Sequence, residues 1–177
     1  MTTNSDTGFR IERTTIDDLA FIKYLFDASV AFQEDNGYPS WRHYDLNAIR
    51  EDIFKGNQYK IVSGDTIAIV FSIIYEDPVI WRHHENGNAV YLHRIVVNPA
   101  FKGQKMLARI ISWAAVHGRQ QGRQLIRMDT WAVNARLINY YKGFGFRHIE
   151  NYTTPDTEAI PTHNRNLNLA LLEMNIL

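Results

Sequence analysis

Residues 102–105, with the sequence Lys-Gly-Gln-Lys, could bind a phosphate group. They follow a β-branched run at 91–97, which predicts a buried strand that ends before Pro99. Apolar residues then recur with helical spacing and predict a helix over about 104–120. Unpaired N–H groups and the dipole at the start of a helix both favour phosphate oxygens. The sequence therefore predicts an anion site where this strand passes into this helix.

A second informative stretch spans residues 134–146. It begins with Asn134, at an expected helix start, and its apolar residues follow at i, i+3, i+4 and i+7. Tyr141 belongs to this apolar face. Gly145 has the residue type and place of a left-handed helix cap, and Phe146 begins a β-rich run. By itself, a tyrosine on such a face is usually a core residue.

Together, the two stretches resemble the coenzyme A region of the GNAT superfamily of acetyltransferases, over residues 91–146. The family pattern is an asparagine, a helix, a tyrosine, and Gly-Phe four residues later, here Asn134, Tyr141, Gly145 and Phe146. The resemblance implies an α/β (α+β) fold in which helices flank a mixed, mostly antiparallel central sheet. It also implies direct transfer of an acetyl group from acetyl-CoA to a primary amine of a small molecule or peptide.

The resemblance assigns roles to individual residues. Asn134 would hydrogen-bond the cofactor, and backbone groups around Ile95 and Val97 would hold the pantetheine arm. Tyr141 would protonate the departing thiolate, which suits a phenol that is still protonated at neutral pH. The residues assigned to cofactor binding are Ile95, Val96, Val97, Lys102, Gly103, Gln104, Lys105, Met106, Leu107 and Asn134.

The loop departs from the family pattern at its two small residues. That pattern has Arg or Gln, two residues, Gly, one residue, and then Gly or Ala, whereas this chain has Lys102, Lys105 and Leu107 at those positions. We expect Lys105 to offer its N–H from a helical conformation, and the bulk of Leu107 to narrow the pyrophosphate channel. Cofactor binding would then be weakened or altered. The alternative is a non-catalytic GNAT-like module that binds a CoA ester or a protein partner.

His93 is the candidate general base. Period-two alternation would place Tyr91, His93, Ile95 and Val97 on one face of their strand, beside the cofactor. A histidine pKa near neutrality suits the removal of a proton from an amine. The position also resembles that of the basic histidine in the arylalkylamine N-acetyltransferases. The alternatives are a buried histidine that only hydrogen-bonds a neighbour, with Tyr91, Glu34 or a water as the base.

Other acidic and histidine residues receive structural interpretations. Asp129 ends a predicted strand, where we expect it to cap the loop before the helix of Asn134. His83, His84 and Glu85 lie in a polar stretch that predicts a loop. Adjacent histidines in a loop seldom converge on a metal ion, so no metal site is expected.

Composition indicates a single domain over residues 1–177, without cysteine and without an apolar run long enough for a membrane span. The N-terminus lacks a basic segment followed by an apolar one, so we expect a cytoplasmic protein. Residues 1–97 hold nine Lys and Arg against fourteen Asp and Glu, whereas residues 98–177 hold ten against five. This asymmetry suits a phosphate-rich cofactor on the basic half and a cationic acceptor on the acidic half.

Nucleic acid is not expected as a partner, since the pI is near 7 and no aromatic-interleaved RNA motif is present. A homodimer is compatible with the sequence. In the GNAT fold, acceptor contacts come from the loop between the first two helices and from the final hairpin, here residues 33–43 and 153–166.

The remaining periodicity predicts further strands and helices, with turns at Gly- and Pro-containing positions. Strands are expected at 9–13, 59–63, 66–75, 125–130, 146–152 and 167–172, helices from Thr15 to about Phe32 and over 46–54, and a loop at 77–88.

Overall fold

The computed structural model describes residues 8–41, 44–160 and 162–176, apart from the side chain of His163. In chain order its elements are β1 (Phe9–Arg13), α1 (Leu19–Asp35), α2 (Leu46–Lys55), β2 (Gln58–Ser63), β3 (Thr66–Ile74), α3 (Pro78–Trp81), β4 (Ala89–Val97), α4 (Met106–Gln120), β5 (Leu125–Trp131), α5 (Ala135–Lys142), β6 (Arg147–Thr153) and β7 (Asn168–Asn175). His43 and Pro161, which belong to the expected acceptor segments, lie outside the described residues.

The strands form one seven-stranded sheet in the order β1-β2-β3-β4-β5-β7-β6. Every neighbouring pair is antiparallel except β4 and β5, which are parallel. The predicted α/β (α+β) class, with a mixed and mostly antiparallel sheet, is therefore confirmed. No helix among the described residues has the length and apolarity to cross a bilayer.

Local sequence signals account for the ends of several elements. Thr15 and Asp18 form a reciprocal capping box just ahead of α1. Asp45 caps α2 by accepting the N–H groups of Asn47 and Ala48, and α2 ends at Gly56 with φ 70°. Each of these signals involves residues only a few positions apart in the chain.

Helices cover both faces of the sheet. On one face α4 and α5 pack on the central strands, in a core that includes Phe71, Leu92, Ile110 and Met128. On the other face α1 and α2 pack on Val70 and Val96, in a second core. The short helix α3 continues this second layer over β4, β5 and β7, where its Trp81 packs against Tyr91.

Two local predictions were wrong. The stretch 77–88 was expected to be a loop, but it contains α3 and a 3-10 turn at Arg82–His84. Asp77 caps α3 by accepting the N–H of Ile80, and a proline fills the first helical position. Gly145 does have a positive φ of 101°, but it is not the cap of α5. That helix ends two residues earlier, at Gly143, which is right-handed.

Candidate active site

The strands β4 and β5 separate in the middle of the sheet. They pair only from Ala89 to Tyr91 on β4 and from Leu125 to Arg127 on β5. A bulge in β4 lies just beyond, because Ser72 pairs with His93 while Val70 pairs with Val96. The extra residue is accommodated at Arg94, which has φ 51°. The diverging strands leave backbone groups of β4 without a β5 partner, as a ligand held along β4 would require.

This bulge corrects the expected alternation along β4. His93 lies on the face of Tyr91, whereas Ile95 packs against the core beneath α4, and the paired Val96 belongs to the core beneath α1 and α2. An extra residue shifts the period-two pattern by one position, so His93 does not share a face with Ile95 and Val97. His93 and Ile95 therefore approach the gap between β4 and β5 from opposite faces of the sheet.

The predicted anion site lies between β4 and α4 and is formed by exposed backbone. Gly103 has φ 84°, and Lys105 precedes α4 with φ 52° and ψ 37°. Lys105 was expected to be helical, but it is left-handed, in the conformation that glycine adopts most easily. The N–H groups of Gly103, Lys105, Met106 and Leu107 have no acceptor among the described residues. Four free donors beside a helix N-terminus are suited to pyrophosphate oxygens.

Leu107 does not narrow this site, contrary to expectation. Its side chain is 5% exposed and packs in the core between α4 and the sheet. Met106 is buried in the same core. Their side chains belong to the apolar face of α4 that packs on the core, so only the backbone of these two residues faces the loop. The loop thus retains its donors although it lacks the small residues of the family pattern.

Tyr141 lies on α5, and Asn134 is the residue immediately before that helix. Tyr141 is 9% exposed. Burial raises its pKa above the ordinary tyrosine value, and the nearby Tyr140 and Asp129 raise it further. It therefore holds its proton at neutral pH. Asn134 caps α5, with its Oδ1 accepting the N–H of Leu137 at 3.0 Å. Its Nδ2 donors remain for a ligand.

His93 lies between two carboxylates that the sequence did not single out as its partners. Its Nε2 is 3.4 Å from Oδ2 of Asp77, and its Nδ1 is 3.8 Å from Oδ1 of Asp129. Both distances are too long for well-formed hydrogen bonds, so the contacts are electrostatic. We name these three residues the Asp77–His93–Asp129 cluster. Asp129 was expected to cap a loop, but it lies within β5 and pairs with Leu171.

The side chains of the cluster shift one another's pKa values. Burial alone lowers the pKa of His93, but the contact with Asp77 and the charge of Asp129 outweigh burial, so the pKa is raised. Burial also raises the pKa of Asp129, partly offset by His93. The charge of Asp129 also contributes to the raised pKa of Tyr141. The candidate base thus lies where β4 and β5 diverge.

Register could have predicted this convergence. Tyr91 and Arg127 form the last parallel pair, and His93 and Asp129 each lie two residues beyond it. Equal offsets on neighbouring strands place two side chains on one face. Finding this signal in the sequence would have required the pairing between β4 and β5, which short-range patterns do not contain.

The alternative bases are engaged elsewhere. The hydroxyl of the fully buried Tyr91 donates to Oε2 of Glu85 at 2.6 Å and accepts from Arg127 at 2.9 Å. Burial raises the pKa of Tyr91, so it stays protonated. Glu34 accepts a hydrogen bond from the hydroxyl of Ser40 at the end of α1.

The predicted loop histidines do come together with a carboxylate. Ligand atoms of His83, His84 and Glu150 lie within 4.8 Å of one another, as do those of the Asp77–His93–Asp129 cluster. Arg82 already bonds the Glu150 oxygen that faces His84. A guanidinium at that oxygen opposes the binding of a metal ion. Glu85, the third residue of the predicted loop group, is bonded to Tyr91 and to the N–H of Asp77.

Comparison with known proteins agrees with this geometry. The family described as "Acetyltransferase (GNAT) family" matches residues 29–146. The chain belongs to the GNAT family of acetyltransferases. A curated relative, the uncharacterized N-acetyltransferase YesJ of Bacillus subtilis (strain 168), is 26% identical over 161 residues, covering 79% of this chain and 88% of YesJ. The GNAT resemblance and the acyltransferase prediction are therefore confirmed.

Solved structures share the fold of this GNAT protein. A GNAT family acetyltransferase from Listeria monocytogenes 4b F2365 superposes with a TM-score of 0.74 at 20% identity, over 94% of each chain. The putative acetyltransferase yncA of Salmonella typhimurium, solved with acetyl-CoA, has a TM-score of 0.64 at 14% identity, over 97% of this chain and 95% of its own. With the family membership, this supports acetyl-CoA as the cosubstrate of an N-acetyltransferase.

Proposed function

We propose that this GNAT protein transfers the acetyl group of acetyl-CoA directly to a primary amine of a small molecule or peptide, with His93 as base and Tyr141 as acid. The observation that carries the proposal is the position of His93 between the carboxylates of Asp77 and Asp129. His93 and Asp129 each lie two residues beyond the last pair of β4 and β5, where the two strands separate. The base and its carboxylate partners therefore lie at the gap that suits the thioester.

The residues present fit a coenzyme A ester. The free N–H groups of Gly103, Lys105, Met106 and Leu107 suit its pyrophosphate, and the unpaired backbone beyond Tyr91 suits its pantetheine arm. The bound ester supplies the activated acetyl carbon. Holding that carbon beside the amine removes much of the entropic barrier to transfer.

The residues of the chain then perform two proton transfers. His93 in its neutral form takes a proton from the amine, because only the free amine attacks. The Asp77 and Asp129 carboxylates stabilise the imidazolium that results. Tyr141 donates the proton that the departing sulfur needs. A buried phenol with a raised pKa keeps that proton available until the sulfur develops negative charge.

The test of the acid is Tyr141→Phe, assayed by thiol release from acetyl-CoA with a panel of primary amines. We expect kcat to fall on the order of a hundredfold. The Kd for acetyl-CoA should change little, because the phenol acts as the sulfur develops charge rather than in the ground state. Tyr140→Phe is the matched control, since Tyr140 is the preceding residue on α5 and is half exposed. Equal kcat for the wild type and Tyr141→Phe would make Tyr141 a packing residue.

A further inference from the structure

The Asp77–His93–Asp129 cluster carries more negative than positive charge. Asp77 and Asp129 both face the single imidazole of His93, and no Lys or Arg of the described chain forms an ion pair with either carboxylate. Arg94, the next residue on β4, is paired with Asp52 of α2. Even when His93 is protonated, one carboxylate charge therefore lacks a partner.

This unpaired charge lies in a partly desolvated place. The side chains of Asp77 and Asp129 are 10% and 20% exposed. A charge withdrawn from water without a partner is costly, so a cationic ligand that reached Asp129 would offset the cost. The raised pKa of Asp129, due to burial, is the direction expected for a carboxylate short of positive neighbours.

A second polar group at the same place also lacks a partner. Ser72 pairs with His93 across β3 and β4, so the two side chains lie on one face. The hydroxyl of Ser72 is fully buried and has no hydrogen-bond partner among the described residues. The Nε2 atom of His93 is also buried and makes no hydrogen bond with any described residue. Buried polar groups without partners in native proteins commonly mark a missing ligand or water.

Resting on the proposed function, we propose that Asp129, assisted by Asp77, selects an acceptor that arrives as an ammonium ion. The preferred substrates are then aliphatic primary amines rather than arylamines, which are uncharged at neutral pH. Asp129 is the specificity residue because it lies on the diverging strand β5 and contacts the base.

For an ammonium acceptor, the bonds and protons of the acetyl transfer can be followed step by step. One ammonium proton passes to His93, and the free amine nitrogen forms a C–N bond to the thioester carbon. The C–S bond breaks, and the electron pair goes to sulfur, which takes a proton from Tyr141. A second proton leaves the nitrogen and restores the phenol. His93 returns its proton to solvent, so each amide formed releases one thiol and one proton.

The experiment compares cyclohexylamine with aniline, which has the same number of carbon atoms but no charge at neutral pH. Thiol release from saturating acetyl-CoA is measured with wild type, Asp129→Asn, Asp129→Glu and the control Asp65→Asn. Asp65 lies exposed at the β2–β3 turn, so its substitution changes net charge equally. We expect wild type and Asp65→Asn to favour cyclohexylamine at least about tenfold in kcat/KM, and Asp129→Asn to lose that preference while Asp129→Glu keeps it.

A binding measurement separates this proposal from the proposed function. With coenzyme A present, cyclohexylammonium should raise the melting temperature of the wild type more than cyclohexanol does, and Asp129→Asn should abolish the difference. If the wild type shows this difference in melting temperature but no turnover, the proposed function is rejected and the ammonium site is not. Equal shifts for the two probes in the wild type would overturn the ammonium site. An equal loss of activity with both amines in a folded Asp129→Asn would overturn the selective role of Asp129 and leave it only as a support of His93.

Discussion

The left-handed backbone of Lys105 allows a stability prediction that needs no knowledge of the acceptor. Lys105 has φ 52° and ψ 37° immediately before α4. A side chain in this region costs about 1–2 kcal/mol because Cβ approaches the following carbonyl oxygen. Replacement by glycine removes that cost but adds about 0.4–1 kcal/mol of unfolded-state entropy. Lys105→Gly should therefore stabilise the protein by roughly 0.5–1 kcal/mol.

The measurement is thermal unfolding without cofactor, in which about 1 kcal/mol corresponds to about 2–4 °C for a chain of this size. Lys105→Ala is the first control, since it removes the same charge but keeps a Cβ in the left-handed region. Lys102→Gly is the second, because Lys102 has φ −57° and ψ 135°, which suit any residue. We expect no gain from Lys105→Ala and a loss of about 0.4–1 kcal/mol from Lys102→Gly.

The comparison of Lys105→Gly with Lys105→Ala shows whether the left-handed backbone of Lys105 is strained. If Lys105→Gly melts at the same temperature as Lys105→Ala, the left-handed conformation carries no strain and the reasoning fails. If both variants gain equally, the stabilisation comes from removing the positive charge near the helix N-terminus. Calorimetry with acetyl-CoA on the same proteins would then show separately how much the lysine charge contributes to cofactor binding.

Two further predictions concern the base and the core. The raised pKa of His93 means that it keeps its proton to higher pH, so kcat/KM should rise with pH through a value above that of an ordinary histidine. Asp77→Asn removes a negative neighbour of His93 and should move this rise in kcat/KM to lower pH. If the rise occurs at the same pH in the variant, the base is another group. Leu107→Ala should lower the free energy of unfolding by about 2–5 kcal/mol in urea titrations, since Leu107 is a core residue. A loss below about 1 kcal/mol would contradict its burial.

Much of the fold follows from patterns that span only a few residues. The β2–β3 hairpin, the helix α2 and the strand–loop–helix around residues 102–105 were predicted because turn residues and apolar spacing act locally. The pairing of Asn134 with Tyr141 on one helix was predictable for the same reason. The short helix α3 was missed because its four residues are too few to show a helical period.

Other features depend on contacts between distant segments. The bulge at Arg94 is defined by pairing with β3, and it reversed the expected relation between His93 and Ile95. The burial of Leu107 and the left-handed Lys105 follow from how α4 packs on the sheet.

Spacing along the chain encodes periodicity, so most of the strands and helices could be predicted from the sequence, including the strand–loop–helix that precedes the helix of Tyr141. The convergence of Asp77 and Asp129 on His93 became visible only in three dimensions. These three residues come from the cap of α3 and from two strands whose register is fixed by long-range hydrogen bonds. No pattern within a single segment contains that register, so the charge balance of the site could not be derived from the sequence.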